Sequence, residues 1–284
     1  MQDSKPGPPS SDTNNVRICN EQISDKLLRN LCDHNLERHL NETLKGGHDL
    51  HLIQIGAHTG FEGNDPLSSS ISKMIEQTNL QKRLHWTFVE PSPPNYKRLE
   101  RTLDQHSHIC NMMSVNAGVV SDKTPDAETE NMVFYSLLDT IDPETGFDSR
   151  SGKTFPSWIT QVSSFSKEPI LYNSNQFARR GLNVSDYMVE TNVTVKHLSS
   201  LLAEITANAG SFKPHHLFFV LIDTESFDCK IINGLTKDSP FWPFYLMFEH
   251  KSCKEDDRTR TVQHLTEMGY SLHVYDGENT IALR

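Results

Sequence analysis

The spacing of hydrophobic residues changes several times along the chain and predicts alternating helices and strands. Between residues 21 and 44, apolar side chains recur at helical spacing, which predicts one or two helices ahead of the core. Short apolar runs follow, and most of them stop at a glycine, a proline or an acidic residue, as buried strands do. The predicted strands are Leu50–Ile55, Leu84–Val89, 114–120, Leu217–Ile222 and 245–248.

Helical patterns separate these strands. Residues 68–80, 95–103, 228–235 and 257–268 have helical spacing, and residues 270–275 and 280–283 flank a turn and predict a terminal hairpin. Strands that alternate with helices of this length form parallel crossover units. We therefore predict an α/β fold with a Rossmann-like, doubly wound, mostly parallel seven-stranded sheet and an antiparallel C-terminal hairpin.

The pattern is weaker at the N-terminus and in the middle of the chain. Residues 1–15 are polar and rich in proline and serine, which predicts a disordered tail without a signal peptide. Residues 16–48 are the predicted N-terminal helical segment, and residues 49–284 the main domain. Residues 121–185 are rich in Pro, Ser, Thr and Asn, so we expect an insertion at about 121–192. A strand running into a helix is expected over 193–206.

Composition excludes several classes of protein. Acidic residues number 37 against 27 basic ones, and the net charge of -10 would repel a nucleic-acid backbone. No stretch reaches the roughly 18 apolar residues of a membrane helix. The five cysteines are odd in number and form no Cys-x-x-Cys pair, which favours reduced thiols and a cytoplasmic location. Sequons at Asn41, Asn183 and Asn192 matter only in a secreted chain, and so short a pattern arises readily by chance.

Candidate chemistry lies at the carboxyl ends of the predicted strands, where doubly wound sheets bind ligands. After the first strand, residues 56–60 (GAHTG) would let the backbone approach a ligand closely, and the following helix N-terminus favours a negative group. After the second strand, Glu90 is either a solvated carboxylate or an acceptor for both ribose hydroxyls of a nucleoside cofactor. Together these two features indicate an adenosine cofactor without saying which one.

An ordered set of short motifs resembles the FkbM-type methyltransferase family over most of residues 51–284. The set is 53–60 (IQIGAHTG), 89–99 (VEPSPPNYKRL), 115–119 (VNAGV) and 222–228 (IDTESFD), with Gly234, Phe248 and Glu249. Trp158, Gln161, Ser164 and Phe165 are similar to a further segment of some members. The resemblance implies the class I methyltransferase fold, S-adenosylmethionine as cofactor, and methyl transfer to an oxygen of a small molecule, a sugar or a glycan.

The resemblance also implies which residues hold the cofactor. The glycine turn would wrap the methionine part, Glu90 would hold the ribose, and the residues after the third strand would lie near the adenine. The implied cofactor-binding residues are Gln54, Gly56, Ala57, His58, Gly60, Glu90, Asn116, Ala117 and Asp223. Three positions depart from the family pattern: Gln54 replaces an acidic residue, His58 a commoner Asn, and Ser226 a Gly.

Methyl transfer from a sulfonium is an in-line displacement, so the protein mainly positions the acceptor and helps to remove its proton. The resemblance implies that Asp223 and Glu225 face the sulfonium and the acceptor. His58 and His250 are further candidate bases, and His250 is the better-tuned one for a hydroxyl acceptor. Our catalytic candidates are therefore Asp223, Glu225 and His250. Asp223, Glu225 and Glu249 could together bind magnesium, but we expect no metal, because acidic strand ends are common in this fold without one.

Two other classes of function stay open. An NAD-dependent oxidoreductase would also use a glycine turn and a ribose-binding acid, but its Gly-x-Gly-x-x-Gly fingerprint is missing, since Ala57 and His58 follow Gly56. A non-catalytic protein that kept the fold would account for Gln54 and Ser226. The expected partner is a small-molecule or carbohydrate acceptor, and the sequence indicates neither its identity nor the oligomeric state.

Overall fold

The computed structural model describes residues 19, 25–61, 66–78, 80–124, 131–209, 217–236 and 242–284. The predicted tail at 1–15 lies outside these residues, and so does the start of the first predicted helix. Two helices, α1 (Lys26–Asp33) and α2 (Leu36–Lys45), precede the central sheet, as expected. Asp25 caps α1, because its carboxylate accepts the backbone N–H of Leu28.

Strands and helices then alternate up to a long middle segment. The first alternation is β1 (Leu50–Ile55), α3 (Pro66–Thr78), β2 (Leu84–Val89), α4 (Pro93–His106) and β3 (Asn111–Val115). The middle segment contains β4 (Gly118–Val120), β5 (Asn131–Leu137), β6 (Phe147–Asp148), β7 (Lys153–Thr154), α5 (Glu168–Tyr172), α6 (Ser174–Ala178), β8 (Met188–His197) and α7 (Leu198–Ala209). Two 3-10 helices, Ser157–Gln161 and Val184–Asp186, complete it.

The chain ends with a second alternation. Its elements are β9 (Leu217–Ile222), α8 (Asp228–Gly234), β10 (Tyr245–Glu249), α9 (Glu255–Glu267), β11 (Ser271–Val274) and β12 (Asn279–Leu283). None of the described helices has both the length and the apolar character that a membrane crossing needs.

Seven strands form the central sheet in the order β11-β12-β10-β9-β1-β2-β3. The five strands from β10 to β3 are parallel, whereas β12 runs antiparallel to both β10 and β11. The prediction of a doubly wound, mostly parallel seven-stranded sheet with an antiparallel C-terminal hairpin, the class I methyltransferase fold, is therefore confirmed. The predicted bounds of β1, β2 and β9 are also confirmed.

Each face of the sheet packs into its own hydrophobic core. Leu52 of β1 lies in the core beside α1, α3 and α4, and the next residue, Ile53, lies in the core beside α7, α8 and α9. Phe219 and Val220 of β9 divide in the same way. Because successive side chains on a strand point to opposite faces, a strand covered by helices on both sides must be apolar at nearly every position.

The predicted third strand at 114–120 is wrong, because the chain breaks it into two strands in different sheets. β3 ends at Val115 in the central sheet, and β4 pairs with β8 instead. The side chain of Asn116 donates to the backbone oxygen of Glu90 at 2.8 Å, and the Ala117 N–H turns back to the Val115 oxygen at 3.2 Å. These two contacts redirect the chain away from the sheet.

The middle segment builds a smaller unit beside the central sheet. Three of its strands form a second sheet in the order β4-β8-β5, and none of its described strands joins the seven-stranded sheet. An apolar cluster around Phe155, Ile159, Phe177 and Tyr187 fills its interior, and each of these side chains is at most 3% exposed. The strand running into a helix that we expected over 193–206 is present as β8 and α7. Other elements of this unit, such as β6 and β7 with two residues each, are too short for sequence periodicity to predict.

Four of the five cysteines are paired in two disulfides. Cys19 joins Cys32, Cys229 joins Cys253, and Cys110 is buried with a free thiol. The prediction of reduced thiols is therefore wrong for four cysteines, because pairing depends on which residues the fold brings together. The cysteines therefore no longer favour a cytoplasmic location, since disulfides persist in oxidising compartments.

Candidate functional site

The carboxyl ends of β1, β2, β9 and β10 meet at one edge of the central sheet. Gly56, Glu90 and Asp223 directly follow the first three of these strands, and Glu249 is the last residue of the fourth. In doubly wound sheets this edge is where ligands bind. The structure therefore brings most of the predicted site residues to one place.

The turn after β1 is built so that backbone, rather than side chain, lies at this edge. The N–H groups of Gly56 and Ala57 donate to the Val89 oxygen at 2.9 and 3.0 Å, which joins the turn to the end of β2. Gly56 has a φ of 82°, and a Cβ atom there would lie 1.7 Å from the carbonyl oxygen of Asp223. Glycine is therefore required at position 56, because any side chain would collide with the end of β9.

Glu90 is a buried carboxylate that closes against this turn. Its side chain is 4% exposed, and it accepts the backbone N–H of His58 on Oε2 and that of Ser92 on Oε1, both at 2.8 Å. Burial raises the pKa of Glu90 to about 7, although His58 and these N–H groups oppose the shift. The alternative of a simple solvated carboxylate is thus wrong for Glu90.

The other predicted cofactor residues lie around this centre in different ways. Asn116 holds the backbone after β2 through its bonds to the Glu90 and Pro91 oxygens. Ala117 follows it and is 1% exposed. Gln54 lies within β1, between Phe88 of β2 and Leu221 of β9, and is buried one residue before the end of the strand.

Three carboxylates meet on the other side of the turn, at the ends of β9 and β10. One oxygen from each of Asp223, Glu225 and Glu249 lies within 4.8 Å of the others. We call these three residues the carboxylate cluster. Asp223 is exposed, and the other two are partly buried. A divalent cation could contact all three, but carboxylates also gather at strand ends without a metal.

A fourth acidic residue, Asp228, lies beneath the cluster, and sequence analysis assigned it no role. It is fully buried and accepts the N–H and the hydroxyl of Thr224 on Oδ2 at 3.2 and 2.8 Å. Its Oδ1 accepts the backbone N–H of Glu249 at 3.3 Å. Asp228 therefore ties the loop after β9 to the end of β10. Its place at the first position of α8, four residues after Thr224, was the available sequence signal.

The acidic groups of this region raise one another's pKa values. Burial and the carboxylates of Glu249 and Asp228 raise the pKa of Glu225 to about 8. Burial and Glu249 also raise the pKa of Asp228 to about 7, and burial raises that of Glu249. The cause is the cost of placing several like charges in a partly dry site. The region therefore holds protons at neutral pH that a nearby cation would displace.

The loop that carries Glu225 is held in an unusual backbone conformation. Glu225 and Ser226 have φ values of 51° and 97°, a region of backbone conformation that residues other than glycine rarely adopt. The hydroxyl of Ser164, from the middle segment, donates to the backbone oxygen of Glu225 at 2.6 Å. The N–H of Ser226 donates to the hydroxyl of Ser252 at 3.1 Å. The chain thus fixes a conformation that glycine would adopt freely, using contacts from two other segments.

His250 does not join the carboxylate cluster. Its ring nitrogen Nδ1 lies 3.0 Å from the hydroxyl of Thr280 on β12, and its backbone N–H donates to the Glu278 oxygen. Burial and the positive charge of Arg258 lower the pKa of His250 below its usual range. The structure thus groups Asp223 and Glu225 but places His250 beside them, against the terminal hairpin.

The disulfide between Cys229 and Cys253 lies directly next to this region. Cys229 follows Asp228 on α8, and Cys253 lies four residues after Glu249, whose backbone oxygen is 3.5 Å from its Sγ atom. The bond therefore links the two loops that carry the carboxylate cluster. This connection was not predicted, because the two cysteines are 24 residues apart in the sequence.

Comparisons with known proteins add little to this geometry. No family model matches the sequence, and no curated protein matches it. Among solved structures, the chain is similar to precorrin-6y C5,15-methyltransferase from Geobacter metallireducens GS-15, with 12% identity and a TM-score of 0.33. That likeness covers 84% of this chain and 80% of the other. The assignment of the fold rests on the strand order of this chain.

Proposed function

We propose that the protein is an S-adenosylmethionine-dependent methyltransferase that acts on a hydroxyl of a small molecule or carbohydrate. The observation that carries the proposal is the arrangement of three features at one sheet edge: the glycine turn, Glu90 and the carboxylate cluster. The strand order supports it, because this edge is the ligand-binding edge of the fold. The ordered motifs that resemble the FkbM-type family contain these same residues and agree with the proposal.

The residues at this edge fit such a cofactor chemically. The carboxylate of Glu90 accepts the N–H groups of His58 and Ser92 and also a hydrogen bond from the Asn95 side chain, so some of these donors must give way for it to accept both ribose hydroxyls. The missing side chains of Gly56 and Gly60 make room for Asp223 and Leu99, because a Cβ would lie 1.7 Å from the Asp223 oxygen and 2.8 Å from Leu99 Cδ1, so it is the backbone of the turn that would face the methionine part. Because the His58 backbone covers Glu90, we expect the turn to move when the cofactor binds.

The carboxylate cluster suits the positive sulfonium. The Oε2 atom of Glu249 is buried and has no hydrogen-bond partner among the described residues. A buried acceptor without a partner costs free energy, and a cationic ligand removes that cost. Three carboxylates of the described residues gather here, and a cation would favour their ionised forms, so this is where we expect the sulfonium to lie.

Bound S-adenosylmethionine would supply an activated methyl group, and the protein would position the acceptor and take up its proton. Glu225 would take up that proton only after a bound cation has displaced the one it holds, because its pKa of about 8 keeps it largely protonated at neutral pH when no cation is near. Asp223 is exposed and can reach an acceptor hydroxyl from the solvent side. His250 would act only if it left Thr280, so we assign the proton to the cluster.

Titration calorimetry with S-adenosylmethionine, S-adenosylhomocysteine and NAD tests the proposal. We expect both sulfur nucleosides to bind and NAD not to bind. Transfer of an isotopically labelled methyl group to a panel of hydroxylated acceptors then tests turnover. Binding without transfer to any acceptor would favour the non-catalytic alternative. If neither S-adenosylmethionine nor S-adenosylhomocysteine bound, the proposal would be contradicted.

A further inference from the structure

The two disulfides and the three Asn-x-Ser/Thr sequons share one chemical requirement. A disulfide forms when two thiols lose two protons and two electrons to an oxidant, here a thiol-disulfide oxidoreductase. Such bonds persist in secreted proteins and in the lumen of the secretory pathway. Sequons are modified only in chains that enter that pathway. The disulfides therefore make the sequons candidate glycosylation sites, although sequons by themselves are weak signals.

Asn183 is exposed at the start of a 3-10 helix in the middle segment. Its side-chain oxygen accepts the backbone N–H of Ser185 at 3.1 Å, which turns the sequon into a compact Asx turn. The Ser185 side chain is exposed as well. Both polar groups of this sequon are thus accessible, while Val184 between them is buried.

Asn192 lies in the middle of β8 and points outward. Val193 and Val195 are 4% and 1% exposed, whereas Asn192 and Thr194 are exposed on the opposite face. Asn192 pairs with Val133 of β5, a hydrophobic residue that is 40% exposed. A glycan on Asn192 would leave the apolar face of this sheet undisturbed and would cover an exposed valine.

Asn41 is different from these two residues. It lies on α2, partly buried, and its Nδ2 atom donates to the Glu37 oxygen at 2.8 Å. Thr43, the third residue of this sequon, is 8% exposed. A glycan at Asn41 would crowd the face that α2 packs against the core, so Asn41 serves as an internal comparison.

We propose that the chain folds in the secretory pathway, forms both disulfides there, and carries N-linked glycans on Asn183 and Asn192 but not on Asn41. The donor is an oligosaccharide held on a lipid pyrophosphate. In the transfer, Nδ2 of asparagine bonds to C1 of the first sugar and loses one proton. The bond from C1 to the pyrophosphate breaks, and the pyrophosphate leaves with the electron pair. This proposal does not depend on whether the protein binds S-adenosylmethionine, and a different experiment tests it.

The test uses the full-length natural protein, produced from its complete coding sequence in cultured eukaryotic cells. Enzymatic release of N-glycans in heavy-oxygen water converts each modified asparagine to a labelled aspartate that peptide mass spectrometry locates. We expect label at Asn183 and Asn192 only. N183Q and S185A should each remove the first glycan, N192Q and T194A the second, whereas S185T, T194S and N41Q should leave the pattern unchanged.

Alkylation of the denatured, unreduced protein supplies the second readout. We expect one modified thiol, that of Cys110, because the other four cysteines are paired. Absence of label at both residues would overturn the glycan assignment, and so would label on Asn41 in place of either. Alkylation of all five cysteines would overturn the oxidising location.

Discussion

Glu90 and Glu225 are both acidic residues at the carboxyl edge of the sheet, but their surroundings differ. Glu90 stands apart from other acids and accepts two backbone N–H groups, so its charge is matched by donors within the protein. Glu225 lies among Asp223, Asp228 and Glu249, and like charges surround it. The difference indicates that Glu90 is suited to neutral hydroxyls, whereas the cluster around Glu225 needs a cation or protons to complete it.

The two regions are also held in place differently. The Glu90 region is fixed by hydrogen bonds between neighbouring parallel strands and the turn after β1. The loops of the carboxylate cluster leave the sheet and are joined by Asp228 and by the disulfide between Cys229 and Cys253. Repulsion within the cluster would otherwise drive these loops apart. We therefore expect covalent linkage to matter more on the cluster side.

The largest effect should follow from removing that disulfide. The double variant C229S/C253S should lower the free energy of unfolding by about 3 kcal/mol, because the unfolded chain regains the freedom of a closed loop. Denaturant unfolding measures this loss. The matched control C19S/C32S opens a shorter loop far from the cluster and should leave affinity for S-adenosylmethionine unchanged. If C229S/C253S and C19S/C32S changed the affinity for S-adenosylmethionine equally, the disulfide between Cys229 and Cys253 would not be what holds the loops of the carboxylate cluster in place.

The cluster should also make stability depend on pH. The pKa of Glu225 is raised to about 8, so the native state keeps a proton that the unfolded chain releases above its ordinary pKa. The native state therefore binds more protons in this window, and the free energy of unfolding falls as pH rises from about 5 to about 8, by roughly 2 kcal/mol. E225Q should reduce this dependence without abolishing it, because Glu90 and Asp228 have raised pKa values of about 7 and act in the same direction, while the exposed control E76Q should leave it unchanged.

Replacing Glu90 tests whether this carboxylate holds the ribose of the cofactor. E90A should weaken S-adenosylmethionine binding by roughly 1.5 to 3 kcal/mol through loss of hydrogen bonds to a charged group. Calorimetry measures the change, and E76A, which removes an exposed carboxylate of α3, is the control. E90Q keeps one acceptor oxygen and should lose less affinity. If E90A bound the cofactor as tightly as the unchanged protein, Glu90 would not hold the ribose.

The smallest effect concerns Ser164, which supports the Glu225 loop. S164A should lower the free energy of unfolding by about 1 kcal/mol, because the backbone oxygen of Glu225 loses its donor and the N–H of Ser166 loses its acceptor. The neighbouring hydroxyl of Ser163 is buried and has no hydrogen-bond partner among the described residues. S163A should therefore be neutral or slightly stabilising. Thermal unfolding of the two variants compares them, and equal destabilisation would show that the contact to Glu225 contributes nothing.

The sequence predicted the central sheet better than any other part of the molecule. Strands β1, β2 and β9 are covered by helices on both faces, so β9 is wholly apolar and β1 and β2 are mostly apolar, and these runs stop where the strands stop. The position of the site followed from the same fact, since Gly56, Glu90 and Asp223 directly succeed these runs. The predicted third strand failed because Asn116 bonds to the distant backbone of Glu90 and the Ala117 N–H turns back to Val115.

The features that the sequence did not predict depend on contacts between distant segments. Cys229 and Cys253 meet because α8 and the end of β10 pack together, which spacing along the chain does not reveal. Asp228 looks like an ordinary first helical residue until the structure shows Glu249 donating to it. Ser164 reaches Glu225 from a segment without clear periodicity. Each of these contacts involves the carboxylate cluster rather than Glu90.

If the carboxylate cluster binds the positive sulfonium, as we claim, the protein must distinguish a charged ligand from an uncharged one. Affinities for S-adenosylmethionine and for S-adenosylhomocysteine, which lacks that charge, should be measured by calorimetry from about pH 6 to about pH 9. We predict that the preference for S-adenosylmethionine rises as Glu225 and Asp228 lose their protons, and that E225Q reduces this rise. A preference that stays constant over this range would contradict the claim.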